Sequence, residues 1–93
     1  MKDATPNDPH VIALSALAAT LSDERRARRF LDLTGIGTDE LRARAGDRRL
    51  LSALIGFLEA HEPDLLAVSE QIGVSPSTIV AAGRALDGNQ EVV

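Results

Sequence analysis

Apolar residues recur along this chain at spacings of three and four, and no segment alternates with period two over a useful length. That pattern is helical throughout. Asp8 followed by Pro9 reads as an N-cap and a first helical residue. Ile12, Leu14, Ala16, Leu17 and Leu21 then give an apolar helix to about Thr20. Ser22 is expected to cap a second helix, "DERRARRFLDLT", whose Asp23 and Glu24 suit the first turn. Ala27, Phe30, Leu31 and Thr34 share one face of it, and Gly35 stops it in a left-handed conformation. Thr38 is expected to cap a short third helix, "DELRARA", ended by Gly46. Asp47 caps a fourth, "RRLLSALIGFLEAH", in which Leu50, Leu51, Leu54, Ile55, Phe57 and Leu58 cover well over half the circumference. A helix that apolar is the central, buried one. Pro63 starts a fifth helix, "PDLLAVSEQI", ended by Gly73. Ser75 and Pro76 open a sixth that runs to about Leu86. Residues 1–7 and 87–93 are polar and expected to be flexible. The expected fold class is all-α: a compact bundle of five to six short helices, one domain over residues 1–93, with a helix-turn-helix-like C-terminal corner.

Composition sharpens this picture. The chain is 93 residues long and 44% apolar, mostly Leu and Ala, with two Phe and no Trp or Tyr. Leu and Ala favour helices and leave little for strands. A chain this short buries roughly 60–65% of its unfolded surface, so one core carries most of the stability. The absence of cysteine rules out a disulfide framework or a thiolate metal site and fits a reducing compartment. No run approaches the ~18 apolar residues of a membrane span. "VIALSALAAT" has the look of a signal-peptide core, but Asp3, Pro6, Asp8 and Pro9 precede it with only one lysine. A cytoplasmic protein without membrane association is expected.

One corner is spelled twice. "TGIGTDELRARA" aligns with "IGVSPSTIVAAG" at an offset of 38, matching Gly35 with Gly73, Ile36 with Val74 and Leu41 with Ile79. In each, a glycine ends a helix, an apolar residue plugs the turn and a capped helix follows. Helix-to-helix corners in general need such parts, which explains the echo without a duplication.

The second corner, "EQIGVSPSTIV", also fits the steric pattern of a helix-turn-helix DNA reader. Ser69 is the small residue where two helices meet, Gly73 makes the turn, and Val68, Ile72, Val74, Ile79 and Ala82 point inward. Its chemistry fits less well. The outer face of the last helix would carry Ser75, Pro76, Ser77, Val80, Ala81 and Arg84. Base edges are read mainly by Arg, Lys, Asn and Gln, of which this face has only Arg84, late in the helix where the N-terminal residues normally make the contacts; Ser75, Ser77 and Arg84 are the candidate DNA contacts. From residue 50 onward six acids face one base, a net charge of −5 that works against phosphate binding.

Positive charge is concentrated upstream. Eight of the ten bases are Arg25, Arg26, Arg28, Arg29, Arg42, Arg44, Arg48 and Arg49, which with four acids make residues 25–49 net +4 in a chain of net −4. Three explanations compete: a solvated face with paired head groups, a docking surface for an acidic protein partner, and a nucleic-acid footprint. The last is weakened by the lack of lysine and of aromatic residues for stacking. Arg25, Arg28, Arg29, Arg42, Arg44, Arg48 and Arg49 are the candidate interaction surface.

Nothing in the pattern is catalytic. His10 and His61 are the only histidines. "HEPD" gathers His61, Glu62 and Asp64, but His61 stands at a helix end, where it serves the dipole, and lacks an i, i+4 histidine partner. "GIGTDE" lacks the lysine of a phosphate-binding loop. No catalytic residue, metal or cofactor is expected.

Two strings, "RFLDLTGIGTDELRARA" and "LIGFLEAHEPDLLAV", carry a resemblance that extends over residues 12–86. The chain resembles the small, roughly ninety-residue alphaproteobacterial proteins known only as a domain of unknown function. In them the pair before the proline usually reads Asp-Glu, where this chain has His61-Glu62. The resemblance implies an all-helical bacterial cytoplasmic protein and brings no activity, cofactor or site. Taken together, these features favour a non-enzymatic module that binds a protein; DNA binding through the C-terminal corner comes second and an enzyme a distant third.

Overall fold

A computed structural model describes residues 8–88, which form six helices and no strand. They are α1 (Pro9–Leu21), α2 (Glu24–Thr34), α3 (Thr38–Ala43), α4 (Arg48–Ala60), α5 (Glu62–Ile72) and α6 (Pro76–Gly88). The expected all-α bundle is what the sequence builds. Of the two ends expected to be flexible, residues 1–7 and 89–93 lie outside the described residues, whereas Asp87 and Gly88 continue α6 as helix.

The core is centred on α4. All six of its expected apolar positions are buried, and five of them, Leu50, Leu51, Leu54, Ile55 and Leu58, are almost wholly so. α1 and α6 lie against it, and α5 closes one side. The face that α1 turns inward is made largely of small side chains. Ala13, Ala16 and Ala19 are buried beside Ile12 and Leu17, while Leu14 and Leu21 stay exposed. Buried Thr20 satisfies its hydroxyl on the Ala16 carbonyl at 2.8 Å. A second close approach involves Gly83, in the middle of α6. A Cβ placed there would lie 2.6 Å from Ile55 Cγ2 and 3.0 Å from Ile55 Cβ, so the α4 and α6 backbones approach as closely as they do because position 83 has no side chain.

Caps account for most boundaries. Asp8 accepts from the His10 amide at 2.9 Å and Asp47 from the Arg49 amide at 2.7 Å, as expected. Three expected boundaries are corrected. Asp23, not Ser22, caps α2, because its carboxylate reaches the Arg25 and Arg26 amides at 2.9 and 3.0 Å; the Ser22 hydroxyl turns back to the Ala19 carbonyl. Thr38 is the first residue of α3, with Gly37 at the cap position and no side-chain cap bond. His61 serves as both the end of α4 and the N-cap of α5, which therefore begins at Glu62 rather than Pro63.

Both glycines of the repeated corner adopt the left-handed conformation, with φ of 73° at Gly35 and 78° at Gly73. Each donates its amide to a carbonyl four residues back, Leu31 and Ser69. Beyond each, Leu41 and Ile79 are buried anchors. The likeness stops at the next helix start. Ser75 caps α6 through the Thr78 amide at 3.1 Å, while α3 has no side-chain cap.

The two capping aspartates carry a pH dependence. The Arg26 amide, followed by the charges of Arg26 and Arg25, holds Asp23 below the ordinary carboxylate value of 3.8. The Arg49 amide does the same for Asp47, with the Leu50 amide and Arg44 adding to it. A carboxyl depressed by folding stabilises the protein above its unfolded pKa, and that contribution is lost as pH falls through the lower folded value. Thermal unfolding followed from pH 6 to 2 should therefore show a fall in Tm beginning near pH 4, and Asp23→Asn with Asp47→Asn should flatten it. An unchanged slope in the double variant would remove the two caps from the account.

Candidate functional site

The arginines of residues 25–49 do not form one surface. Two cations of α2 tie it to α5. Arg29 pairs with Asp64 at the start of α5. Arg26 reaches Gln71 near the end of α5 at 3.3 Å and the Ala19 carbonyl at the end of α1 at 3.0 Å, with its side chain only 12% exposed. Arg44 bridges Glu40 at 3.1 Å and Asp47 at 3.4 Å, bracing the α3–α4 turn. Arg48 donates to the Leu86 carbonyl at 3.1 Å and ties the start of α4 to the end of α6. Of the seven expected surface residues, Arg29, Arg44 and Arg48 are thus fastened within the fold.

Arg25, Arg28, Arg42 and Arg49 remain outward. Arg25, Arg28 and Arg49 are exposed and form no ion pair among the described residues. Arg25 and Arg28 lie with Arg29, Glu24 and Asp32 around a shallow, open depression on the outer face of α2. Arg42 approaches Asp39 at 4.0 Å, but its side chain is 82% exposed, and such a pair contributes little.

On the other flank of α2 lies an apolar groove of about 400 Å³. Leu17 and Leu21 of α1, Ala27 and Leu31 of α2, and Leu41 and Ala45 at α3 form it. Thr38 and Arg42 complete its wall. Leu17 and Leu41 are buried at its base, whereas Leu21 keeps 37% of its surface in solvent.

The C-terminal corner has the shape expected of it. The chain turns through 100° between α5 and α6, within the roughly 90–120° of a helix-turn-helix unit. Ser69 is buried and its hydroxyl donates to the Val74 carbonyl; Val68, Ile79 and Ala82 are buried as expected. The outer face of α6 is poorer than expected. Val80 is half-buried against the core, which corrects its placement on that face. Ser75 is committed to the cap and bonds the Ser77 hydroxyl at 3.1 Å. Ser77 and Ala81 border a groove shared with Pro9 and Ile12, so the start of α1 flanks the face that would enter DNA. Arg84 stands beside Glu59 and Asp87. Of the arginines of α2, Arg26 contacts the end of α1 and Gln71 near the end of α5, while Ser77 lies by the start of α1.

A family profile described as "Protein of unknown function (DUF3572)" matches residues 6–89. The chain belongs to the DUF3572 family. No curated protein and no solved structure matches it.

In this DUF3572 chain His61 has a structural occupation. Its Nδ1 donates to the Phe57 carbonyl at 2.9 Å and its ring rests on Phe57 with centroids 4.7 Å apart. Among the described residues no group of three His, Asp or Glu side chains is arranged to hold a metal, and no single helix is long and apolar enough to cross a membrane. Two features of the DUF3572 fold were not foreseen. One is the Arg26, Gln71 and Ser22 cluster that joins α1, α2 and α5; its members are 45 and 49 residues apart, and only the fold brings them together. The other is the groove, whose one sequence signal is the excess of leucine on α1 and α2 beyond what a single buried stripe requires.

Proposed function

We propose that this protein is a non-enzymatic interaction module of the bacterial cytoplasm that docks an acidic protein partner on the exposed side of α2 and α3. The observation that carries the reading is that Arg25 and Arg28 are exposed and form no ion pair among the described residues, whereas Arg26, Arg29, Arg44 and Arg48 are engaged in holding helices together. Exposed arginine is enriched where proteins meet. The absence of cysteine supports the reducing compartment.

Reversing Arg25 and Arg28 to glutamate is the test. Neither side chain braces the fold, so helicity and Tm should hold. Opposed like charges at a docking site cost enough that recovery of a specific partner from the native host should fall more than about tenfold. Equal recovery by wild type and the Arg25→Glu, Arg28→Glu variant would overturn the reading.

The 100° corner supports a second reading, DNA binding through Ser75, Ser77 and Arg84. It requires duplex binding that strengthens as salt is lowered; no binding at about 50 mM salt excludes it.

A further inference from the structure

We infer that the groove between α1, α2 and α3 receives the apolar edge of a helical segment from the protein partner, and that this segment is acidic along its flanks. The inference deepens the proposed function and rests on it.

Three observations lead to this occupant. The groove encloses about 400 Å³ and is lined chiefly by aliphatic side chains. That lies within the roughly 300–1,000 Å³ range of pockets that bury most of a bound group. Its base and walls offer no polar side chain besides Thr38 and Arg42, so it selects aliphatic anchors.

Its one charged wall residue is a cation. Arg42 stands on the α3 side, almost wholly in solvent. On α2, Arg28 belongs to the outer face, about 60° round the helix from Leu31 and outside the groove itself. An apolar strip with Arg42 at its wall complements a helix whose apolar edge is bordered by carboxylates.

The groove also continues into an exposed stripe on α1. Val11, Leu14, Ala18 and Leu21 all face solvent, at successive spacings of three, four and three. Leu21 belongs both to this stripe and to the groove wall. Spacing of that kind is the seam along which one helix packs lengthwise on another. A partner helix anchored in the groove would have an apolar track to follow along α1, as in other helix-in-groove recognition.

A nucleic acid fits less well. An aliphatic base offers nothing to phosphates or base edges.

The probe is a capped synthetic helix of about 18 residues with leucines at i, i+4 and i+7 and glutamates on both flanks. It is titrated into the ¹⁵N-labelled full chain. Amide shifts should concentrate at Leu21, Leu31, Leu41 and Ala45. A peptide with lysine in place of glutamate should bind more than about tenfold more weakly, and one with glutamine in place of leucine should not bind. Arg42→Glu, which removes no packing, and Ala45→Leu, which fills the groove, should each weaken binding by a similar factor.

Equal binding of the glutamate and lysine peptides, shifts clustered elsewhere, no binding up to millimolar peptide, or tighter binding of anionic vesicles or duplex DNA through the same residues would each overturn the inference. A native partner lost on Arg25→Glu with Arg28→Glu but retained by Ala45→Leu would leave the cationic docking surface standing and remove the groove from it. A partner retained by the arginine variant would remove both.

Discussion

Gly83→Ala should destabilise the protein, even though alanine is the better helix former by about 1 kcal/mol at an exposed interior position. The new methyl would sit 2.6 Å from Ile55 Cγ2. Ile55 cannot easily yield. It is almost wholly buried, its Cβ is also only 3.0 Å from the added carbon, and a β-branched side chain in a helix has essentially one χ1 position. The helices must separate instead, and overpacking of this kind costs typically 1–3 kcal/mol and occasionally more. We expect a net loss of about 1–2 kcal/mol by urea unfolding. The coupled test is Ile55→Ala, which alone should cost about 2–5 kcal/mol. If the methyl and Ile55 collide, the double variant will lose less than the sum of the two single losses by about 1 kcal/mol or more. A rise in urea midpoint for Gly83→Ala, or strict additivity, would show that α4 and α6 are not in contact at this point.

Phe30→Ala should be the most damaging single change on α2. Phe30 is the one fully buried residue of that helix, and its ring meets Phe57 of α4 edge-on, with centroids 5.5 Å apart and an interplanar angle of 65°. Truncating a buried phenylalanine costs about 3–5 kcal/mol, against about 5–15 kcal/mol for the whole stability of a typical domain. The neighbouring Leu33 supplies the control. It is 62% exposed on the same helix, so Leu33→Ala should stay within about 0.5 kcal/mol of wild type. A loss below about 1 kcal/mol for Phe30→Ala would mean that the ion pair and Arg26, rather than the ring, dock α2.

The sequence announces some parts of this fold far more clearly than others. α4 is legible because six large apolar residues recur at helical spacing between an aspartate cap and a histidine, and burial follows directly. The glycine corners are legible because only glycine takes a positive φ at no cost. α1 is not legible in the same way. It is apolar on every side, so periodicity cannot tell which face turns inward, and the alanines are buried while Leu14 and Leu21 are not. Small residues win there because they let helices approach closely. Gly83 follows the same logic in an extreme form; its only trace in the sequence is a glycine in a helix that would gain from alanine.

The arginine cluster shows a different limit. Charge counting locates eight cations in residues 25–49 but says nothing of their partners. Arg29 finds Asp64 35 residues away, and Arg48 finds the Leu86 carbonyl 38 residues away. Local pairs such as Arg44 with Glu40 follow from i, i+4 spacing, whereas these long-range ones arise only once the chain has folded. What survives as candidate site is therefore smaller than the run of arginines, and the groove beside it was invisible because its six aliphatic residues come from three helices.

The distribution of anchors also sets an order of opening. α2 and α3 each contribute a single buried side chain to the core, Phe30 and Leu41, while α4 contributes six. Local unfolding free energies scale with what must be exposed. The α2–α3 segment thus forms a separate, lower tier of stability that can release and return while the α1–α4–α6 centre stays folded. The same segment carries Arg28, Arg42 and much of the groove, so a partner bound there would slow amide exchange in α2 and α3 and leave the slowest core amides unchanged.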